Sequence, residues 1–165
     1  MTGEDTLDVD SLMMLKRLRV LGLAVVRRPA DGALLVGLHD LDAAGEPTFC
    51  RLLGGGVEFG EYSEQTVRRE LWEELAVRVR PVTFLGALEN IFVYQGEPGH
   101  ELVMNWLVEF EDPTLYAVEE FVVTEGDVTQ RARWIQPAEL AARGIPLYPT
   151  GIVELIARTV DEVRT

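Results

Sequence analysis

Several features that would narrow the class of this protein are scarce in its 165 residues. Cys50 is the only cysteine, so the chain can form neither an intramolecular disulfide nor a cysteine zinc cluster. The longest apolar run, at positions 20–26, is far shorter than the roughly 20 residues that a membrane span requires. Lys16 is the only lysine, and the formal net charge is −13. Sequence-independent binding to nucleic acid depends on Lys and Arg, so we expect neither nucleic acid nor membrane as a partner.

What remains is the composition of an ordinary globular protein, 47% hydrophobic and 26% charged. Its length suits a single domain, which we place at 13–165 behind a flexible acidic tail at 1–12. The first ten residues are acidic where a secretory signal would be basic, so we expect a cytoplasmic protein. Cys50 lies in a short apolar segment and is expected to be a buried core residue rather than a reactive one.

Apolar and β-branched runs predict a protein of many strands and few helices. The runs 18–28 and 33–39 flank the turn-forming sequence at 29–32 and predict a β-hairpin. Further strands are predicted at 48–53, 82–94, 102–111, 119–124 and 129–135, and helices at 63–75, 137–143 and 150–163. This order of elements indicates the α+β class, with helices on the faces of a mixed sheet.

The helix predicted at 63–75 has a stripe of apolar residues, with Val67, Leu71 and Leu75 at i, i+4 and i+8. Ser63 is the expected N-cap, and Glu64 follows it beside the positive end of the helix dipole. One side of this helix is therefore expected to pack against the core, while the adjacent side meets solvent or a ligand.

Three glutamates lie next to that apolar stripe. Glu70, Glu73 and Glu74 fall within roughly 100° of one another on a helix. Like charges three and four residues apart destabilise a helix by a few tenths of a kcal/mol each. A divalent hard cation such as Mg²⁺ takes oxygen ligands and would turn that repulsion into binding. It would also let so acidic a chain accept an anionic substrate.

The spacing around these glutamates is specific. Gly55 is followed after five residues by Glu61, and seven residues later the sequence reads Arg69-Glu70-Leu71-Trp72-Glu73-Glu74-Leu75-Ala76-Val77. This closely resembles the signature of the Nudix hydrolases, which cleave nucleoside diphosphates linked to another group. The flanking strands and the closing helix extend the resemblance over most of the chain. It implies a Nudix α/β/α sandwich and a pyrophosphatase in which water attacks the pyrophosphate bridge.

Residue by residue, the resemblance implies that Glu70, Glu73 and Glu74 hold Mg²⁺ or Mn²⁺, with the backbone carbonyl of Gly54 as a further ligand. Glu61 would support the metal site or contact it through water. Arg69, which is i,i+4 from Glu73, would orient a carboxylate rather than touch the substrate. A weak surface ion pair is the alternative for this arginine.

Glycines 54–56 are expected to form a turn where a phosphate or metal can approach the backbone, which makes Gly55 and Gly56 substrate-binding candidates. Two positions depart from the family pattern. Ala76 replaces the usual glycine after the helix, and an alanine at positive φ would cost about 1 kcal/mol, so we expect this corner to be built differently. Leu53 stands where proline is common.

The signature identifies neither the general base nor the substrate. Glu73 or Glu74 can serve as the base, and Glu101, Glu119 and Glu120 are candidates outside the motif, each otherwise a solvated surface acid. The segment 89–101 is expected to be a loop that lies over the nucleobase or ribose. Phe92 or Tyr94 would stack on a base or else pack into the core. His100, on the same segment, contacts either phosphate or solvent.

Two functions of different classes therefore remain open. One is the metal-dependent hydrolysis of a nucleotide sugar or a nucleoside triphosphate. The other is a non-catalytic module that senses a nucleotide derivative. The intact glutamates favour the enzyme, because a sensor does not need a complete metal site. A homodimer is the default expectation for a small enzyme.

Overall fold

The structure is a computed structural model that describes residues 17–162. The predicted tail at 1–12 lies outside the described residues. In chain order the elements are β1 (Arg19–Val26), β2 (Leu34–Leu41), β3 (Pro47–Arg51), β4 (Leu53–Gly56), α1 (Ser63–Leu75), β5 (Val79–Tyr94), β6 (Glu97–Phe110), a 3₁₀ helix (Pro113–Ala117), β7 (Glu120–Glu125), β8 (Val128–Ile135), α2 (Pro137–Ala142), β9 (Leu147–Tyr148) and α3 (Ile152–Glu162). Within these residues, no helix is both long and apolar enough to cross a membrane.

The strands form two sheets rather than one. The first has the order β4-β1-β6-β5, and the second has the order β7-β8-β2-β3-β9. Both are mixed, because β1 runs parallel to β6 and β3 runs parallel to β9, while the other pairs are antiparallel. The predicted α+β class with mixed sheets is confirmed.

The hairpin predicted from β1 and β2 is wrong, although the turn between them is present. Gly32 takes a φ of 76° in that turn, and the two strands share only one bridge, between Arg27 and Leu34. Beyond it they diverge into different sheets. Residues 21–26 of β1 and 34–38 of β2 are all buried. Strands that are apolar on both faces need cover on both, which the middle of a layered sheet provides and a hairpin with one solvated face does not.

Two clusters of buried side chains make up the core. The first joins α1 to both sheets through residues such as Val67 and Leu71, with Leu75 packed against it. The second lies between the sheets and the helices α2 and α3, and it includes the buried Cys50. Burial raises the pKa of the Cys50 thiol to about 11, which agrees with the predicted inert core cysteine.

Glycines 54–56 do not form the predicted turn. They lie in β4, which pairs antiparallel with β1, and the chain turns toward α1 only at 58–62. Gly54 takes a φ of 131°, and a Cβ there would lie 2.2 Å from the carbonyl oxygen of Gly22. Only glycine therefore permits this close pairing of β4 with β1.

The loop predicted at 89–101 is instead the end of a long hairpin. Strand β5 continues to Tyr94 and β6 begins at Glu97, with positive φ values at Gln95 and Gly96 in the turn. The glycine and proline content of β6 suggested a loop, but Pro98 precedes the part of β6 that pairs with β1, so its missing N–H costs no bond there. Gly99 lies under the Phe92 ring, where a Cβ would come within 2.2 Å of a ring carbon.

Candidate active site

Helix α1 carries most of the predicted site residues, and its observed bounds equal the predicted ones. Its N-cap is Tyr62 rather than Ser63, and the Gln65 side chain accepts a hydrogen bond from the Tyr62 backbone N–H at 2.9 Å. Ser63 is the first helical residue, and its hydroxyl accepts a hydrogen bond from the Trp106 indole at 2.9 Å. The helix is thus fixed to β6 at its start, and Glu64 lies in its first turn as predicted.

Ala76 ends the helix in the left-handed conformation, with φ 55° and ψ 33°. The expectation that this corner would be built differently is therefore wrong. The Ala76 N–H donates to the Trp72 carbonyl at 2.9 Å, and the Val77 side chain is buried beyond it. The C-terminal cap and the buried apolar residue that follows hold the alanine at positive φ despite its strain.

Arg69 lies at the centre of the glutamate cluster. Its Nη1 donates to Glu70 Oε1 at 2.8 Å and to Glu73 Oε2 at 3.2 Å, and its Nη2 donates to the Gly56 carbonyl at 3.0 Å. The predicted contact with Glu73 is therefore present. These acidic partners raise the pKa of the guanidinium, which stays charged throughout the accessible pH range. In this state the arginine offsets the repulsion among the glutamates.

Glu61 pairs with Arg69 through both of its carboxylate oxygens. Arg69 Nε donates to Oε1 at 2.9 Å and Nη2 donates to Oε2 at 3.0 Å, while the Thr66 hydroxyl and the Glu58 N–H donate to Oε2 at 2.7 and 3.1 Å. The Arg69 hydrogen bonds are the main reason that the pKa of Glu61 falls to about 2. With its acceptor capacity used in this way, Glu61 is suited to fixing Arg69 and the start of the helix rather than to taking a proton.

Glu70 is pressed against the glycine strand. A Cβ on Gly55 would lie 2.5 Å from the carboxyl carbon of Glu70, so only glycine at that position leaves room for this carboxylate. Burial raises the pKa of Glu70, and the neighbouring Arg69 opposes that shift. The side chain of Glu73 is more than half exposed, one turn further along the helix.

Glu74 is the buried member of the cluster, with 8% of its surface exposed. Its Oε2 is buried and has no hydrogen-bond partner among the described residues, while the Gly54 backbone hydrogen-bonds the carboxyl group. Burial, and then the charge of Glu70, raise the pKa of Glu74 to about 8. An unpartnered acid at this depth is costly, and a ligand that supplied positive charge would remove that cost.

These residues have the donor chemistry of a hard-cation site, although no three acidic, histidine or cysteine side chains within 17–162 are arranged to hold a metal as they stand. Arg69 accounts for this arrangement, because it draws Glu70 and Glu73 toward its own guanidinium. The all-oxygen donor set, the orphaned Oε2 of Glu74 and the space left by Gly55 nevertheless fit a divalent cation such as Mg²⁺.

The candidate general bases outside the motif lie in different places. Glu119 and Glu120 lie at the start of β7, where Glu119 approaches Arg28 at 3.6 Å and Glu120 pairs with arginines of β8. The charge of Glu125, at the end of β7, acts on both Glu70 and Glu74. Five extended residues span about 16 Å, so Glu120 and Glu125, at the two ends of β7, have different neighbours. Sequence reasoning missed Glu125, because only the packing of β7 against α1 brings it to the cluster.

An aromatic cavity of about 320 Å³ has no lining residue from α1, but the charge of Arg51, which lines it, acts on Glu74. Its walls come from two sheets: His39 stacks on Phe49 with centroids 4.8 Å apart, and the edges of Tyr94 and Tyr148 face the Phe49 ring. Phe92 lines the same cavity. We call this cavity, lined also by Arg51, Val93, Glu101 and Gln130, the aromatic pocket. Phe92 is half-buried and Tyr94 is exposed, so neither packs into the core.

The tip of the β5–β6 hairpin is tied across the pocket. The Tyr94 hydroxyl donates to the Asp40 carboxylate, with oxygen–oxygen distances of 2.9 and 3.1 Å. His100 lies on the neighbouring strand and pairs with Glu89 at 2.7 Å. Glu101, which the sequence suggested as a solvated surface acid or a base, is only 4% exposed and lines the pocket.

Comparison with known proteins agrees with this arrangement. The family model for the NUDIX domain matches residues 17–154, so the chain belongs to the Nudix family of hydrolases, as the sequence resemblance implied. A relative from Mycobacterium tuberculosis, whose name gives it as the mutator protein MutT4, is 28% identical over 111 residues. That match covers 67% of this chain and 42% of the relative, so the chain spans less than half of that protein's length.

Solved structures share the fold. A MutT Nudix hydrolase from Burkholderia pseudomallei is 28% identical, with a TM-score of 0.53 over 73% of this chain and 84% of its own. An ADP-ribose pyrophosphatase from Streptococcus suis has a TM-score of 0.56 over 90% of this chain and 94% of its own, at 15% identity. At that identity the second likeness concerns the fold alone. The predicted Nudix sandwich is confirmed.

Proposed function

We propose that the protein hydrolyses a nucleoside diphosphate linked to another group, in the nucleotide-sugar or nucleoside triphosphate class, by attack of water on the pyrophosphate bridge. The observation that carries the proposal is the buried, unpartnered Oε2 of Glu74 beside Glu70 and the glycine strand. A buried carboxylate oxygen without a partner lowers the stability of the fold, whereas a reaction that depends on a cation needs such an oxygen as a ligand. Membership of a family of hydrolases supports the same reading.

The carboxylates of Glu70, Glu73 and Glu74, with the backbone carbonyl of Gly54, would hold Mg²⁺ or Mn²⁺. When bound, such a cation neutralises phosphate charge and lowers the pKa of an attacking water. Arg69 keeps the glutamates in place. When a cation binds, Glu70 and Glu73 would exchange part of their contact with Arg69 for contact with the cation. Gly56 has open space where a Cβ would stand and leaves the backbone accessible to the phosphates of the substrate, while Gly55 makes room for the Glu70 carboxylate.

The attacking water needs a proton acceptor. Glu125 is the best-supported candidate, because it is exposed and its charge is felt by Glu70 and Glu74. Glu120 is less suited, since its ion pairs with Arg131 and Arg133 hold its pKa low. Glu101 is better suited to binding than to proton transfer, because it is held between two arginines on the floor of the aromatic pocket.

The aromatic pocket supports a nucleotide as the substrate. Aromatic faces stack on nucleobases, and its volume admits one heterocycle. Arg51 lines the pocket and its charge also reaches Glu74, so a base in the pocket would direct its phosphates toward α1. The partner is thus a small nucleotide; a cytoplasmic location and a homodimer stay predictions from the sequence.

One assay tests the proposal. Purified protein is incubated with a panel of nucleotide sugars, dinucleotides and nucleoside triphosphates, with Mg²⁺, with Mn²⁺ or with EDTA. We expect metal-dependent product from at least one substrate, and a loss of roughly 10³-fold in Glu73→Gln, because a ligand of the cation that stabilises the reacting phosphate is removed. Glu64→Gln, an exposed glutamate in the first turn of the same helix, is the matched control and should keep its turnover.

The alternative function, a sensor that binds a nucleotide derivative without turnover, gives a different result in the same experiment. Binding of a panel member by calorimetry, with no product in either metal, would favour the sensor. Equal turnover in Glu73→Gln and the unsubstituted protein would show that the assignment of the α1 glutamates to the active site is wrong.

A further inference from the structure

The aromatic pocket is lined by a buried carboxylate, Glu101, that the hydrolytic chemistry does not use and that lies beside two partly exposed arginines. Glu101 Oε1 lies 3.7 Å from Arg51 Nη2 and 3.6 Å from Arg19 Nη1, both beyond hydrogen-bond distance. Among residues 17–162, its other oxygen accepts one long hydrogen bond, at 3.4 Å, from the Asn90 amide. An ionised carboxylate has about four acceptor sites, so Glu101 keeps capacity to accept hydrogen bonds from a ligand.

A purely structural role explains this arrangement poorly. Burial of a carboxylate costs free energy that only close hydrogen-bonded partners repay, and neither arginine lies within hydrogen-bond distance of Glu101. Most of the remaining lining residues are aromatic, and the side chain of Arg51 is about one-third exposed beside them. A donor and an acceptor thus lie side by side on the floor of a cavity suited to a flat heterocycle.

We propose that Arg51 and Glu101 form the specificity element of this pocket and select guanine over the other bases. The inference rests on the proposed function in taking a nucleotide as the ligand. Arg51 would donate to O6 of guanine, an acceptor that arginine commonly recognises. Glu101 would accept from N1–H and from the 2-amino group, two adjacent donors on the same edge.

Guanine is distinguished by the number and order of these groups. Among the common bases, it alone presents two adjacent N–H donors next to a carbonyl acceptor. Adenine and cytosine offer one amino group beside a ring acceptor, which satisfies only half of the carboxylate, and uracil offers a single N–H. A site built to accept two hydrogen bonds rejects a ligand that lacks one of them, because the buried acceptor then loses its partner.

Binding in the absence of turnover tests the selection. The affinities of GMP, IMP, AMP, CMP and UMP are measured by calorimetry in EDTA. We expect GMP to bind at least tenfold more tightly than AMP, CMP or UMP, and IMP, which lacks the 2-amino group, to fall between them. In Glu101→Gln, the advantage of GMP over AMP should fall at least fivefold, because an amide nitrogen repels one of the two donors.

The control is Glu109→Gln, which removes a carboxylate on the same strand that is ion-paired with Arg80 at the surface. It should leave all affinities unchanged. If circular dichroism shows that Glu101→Gln is unfolded, Arg51→Lys is used instead; it keeps the charge, loses the planar fork and should also reduce the GMP advantage.

Two results would overturn the proposal: equal affinity for the five nucleotides, or a GMP advantage that folded variants at positions 51 and 101 retain. The outcomes also separate this inference from the proposed function. Guanine selection without hydrolysis of any diphosphate would sink the proposed function alone. Hydrolysis of the panel without base discrimination would sink the guanine selection alone.

Discussion

The glutamate cluster and the aromatic pocket are built in opposite ways. The cluster comes mainly from one continuous stretch, 54–74, and it is held by charge and hydrogen bonds around Arg69. The pocket is assembled from side chains of β2, β3, β5, β6, β8 and β9, and most of its walls are aromatic rings. The glutamate cluster contains charge without a full set of partners, whereas the rings of the aromatic pocket already pack against one another. We therefore expect substitutions in the cluster to change the chemical step, and substitutions in the pocket to change binding.

Among substitutions outside the proposed metal ligands, the largest effect should come from Arg69→Gln. Removal of the guanidinium leaves Glu61, Glu70 and Glu73 without their shared partner, so the carboxylates lose their positions. Loss of a group that orients metal ligands typically costs 10–100-fold, and we expect kcat to fall by roughly 100-fold in the presence of Mg²⁺. Steady-state kinetics on the best substrate of the panel provide the measurement.

Arg68→Gln is the matched control, because Arg68 is the adjacent exposed arginine on the same helix. It should change kcat by less than about twofold, as surface charge substitutions usually do. If the two variants had equal kcat values, the role assigned to Arg69 would be wrong.

A second prediction concerns the cost of the buried acid. The pKa of Glu74 is raised to about 8 in the folded protein. The folded state therefore binds this proton more tightly than the unfolded state does, and metal-free protein should lose stability as pH rises from about 4.5 to 8. Glu74→Gln removes this term and should be more stable than the unsubstituted protein by about 4 kcal/mol at pH 8, with little difference at pH 4.5.

Urea unfolding in EDTA at pH 4.5, 6 and 8 measures this difference. Glu64→Gln, at an exposed position of the same helix, keeps Glu74 and should lose stability with rising pH as the unsubstituted protein does. A constant difference between Glu74→Gln and the unsubstituted protein at all three pH values would contradict the burial of a costly charge. If metal-free Glu74→Gln is more stable than the unsubstituted protein and has lost turnover, Glu74 lowers the stability of the fold and is needed for function.

The pocket should respond differently from the cluster. Tyr94 is an exposed ring at the pocket, so Tyr94→Leu removes a stacking surface without opening the core. Loss of base stacking costs about 1–3 kcal/mol, and we expect KM to rise about tenfold while kcat changes by less than about threefold.

Tyr94→Phe separates stacking from the hydrogen bond with Asp40. It keeps the ring and loses only the hydroxyl, so its KM should stay within about threefold of the original value. A fall in kcat in Tyr94→Leu, with KM unchanged, would contradict the assignment of Tyr94 to substrate binding rather than to the chemical step.

The same contrast explains how much could be predicted from the sequence. The bounds of α1 and its glutamate face follow from periodicity over a single helix, where neighbours in space are neighbours in sequence. The pocket depends on strand pairing across the chain, which local patterns do not encode. His39, Phe49 and Arg51 were therefore not singled out, although Phe92, Tyr94 and Glu101 were.

The errors have the same origin. The alternation of apolar runs around residues 29–32 predicted a hairpin, because nothing local shows that each strand becomes central to a different sheet. Glu125 was missed for a similar reason, since β7 meets α1 only in the folded chain. Local chemistry was also misjudged at both ends of α1. Tyr62 rather than Ser63 is the N-cap, and at Ala76 the capping hydrogen bonds and the burial of Val77 outweigh the strain of a positive φ.

The smallest predicted effect tests that last point. Ala76→Gly should stabilise the protein by about 1 kcal/mol, because glycine adopts the left-handed conformation without the Cβ clash. Ala141→Gly, an exposed alanine within α2, is the matched control and should instead destabilise by up to about 1 kcal/mol, since glycine is a poor residue in a helix interior. Opposite signs in urea unfolding would place the strain at the end of α1. Two destabilised variants would mean that Ala76 carries no strain, and the local costs of the glutamate cluster would then lie in its charges alone.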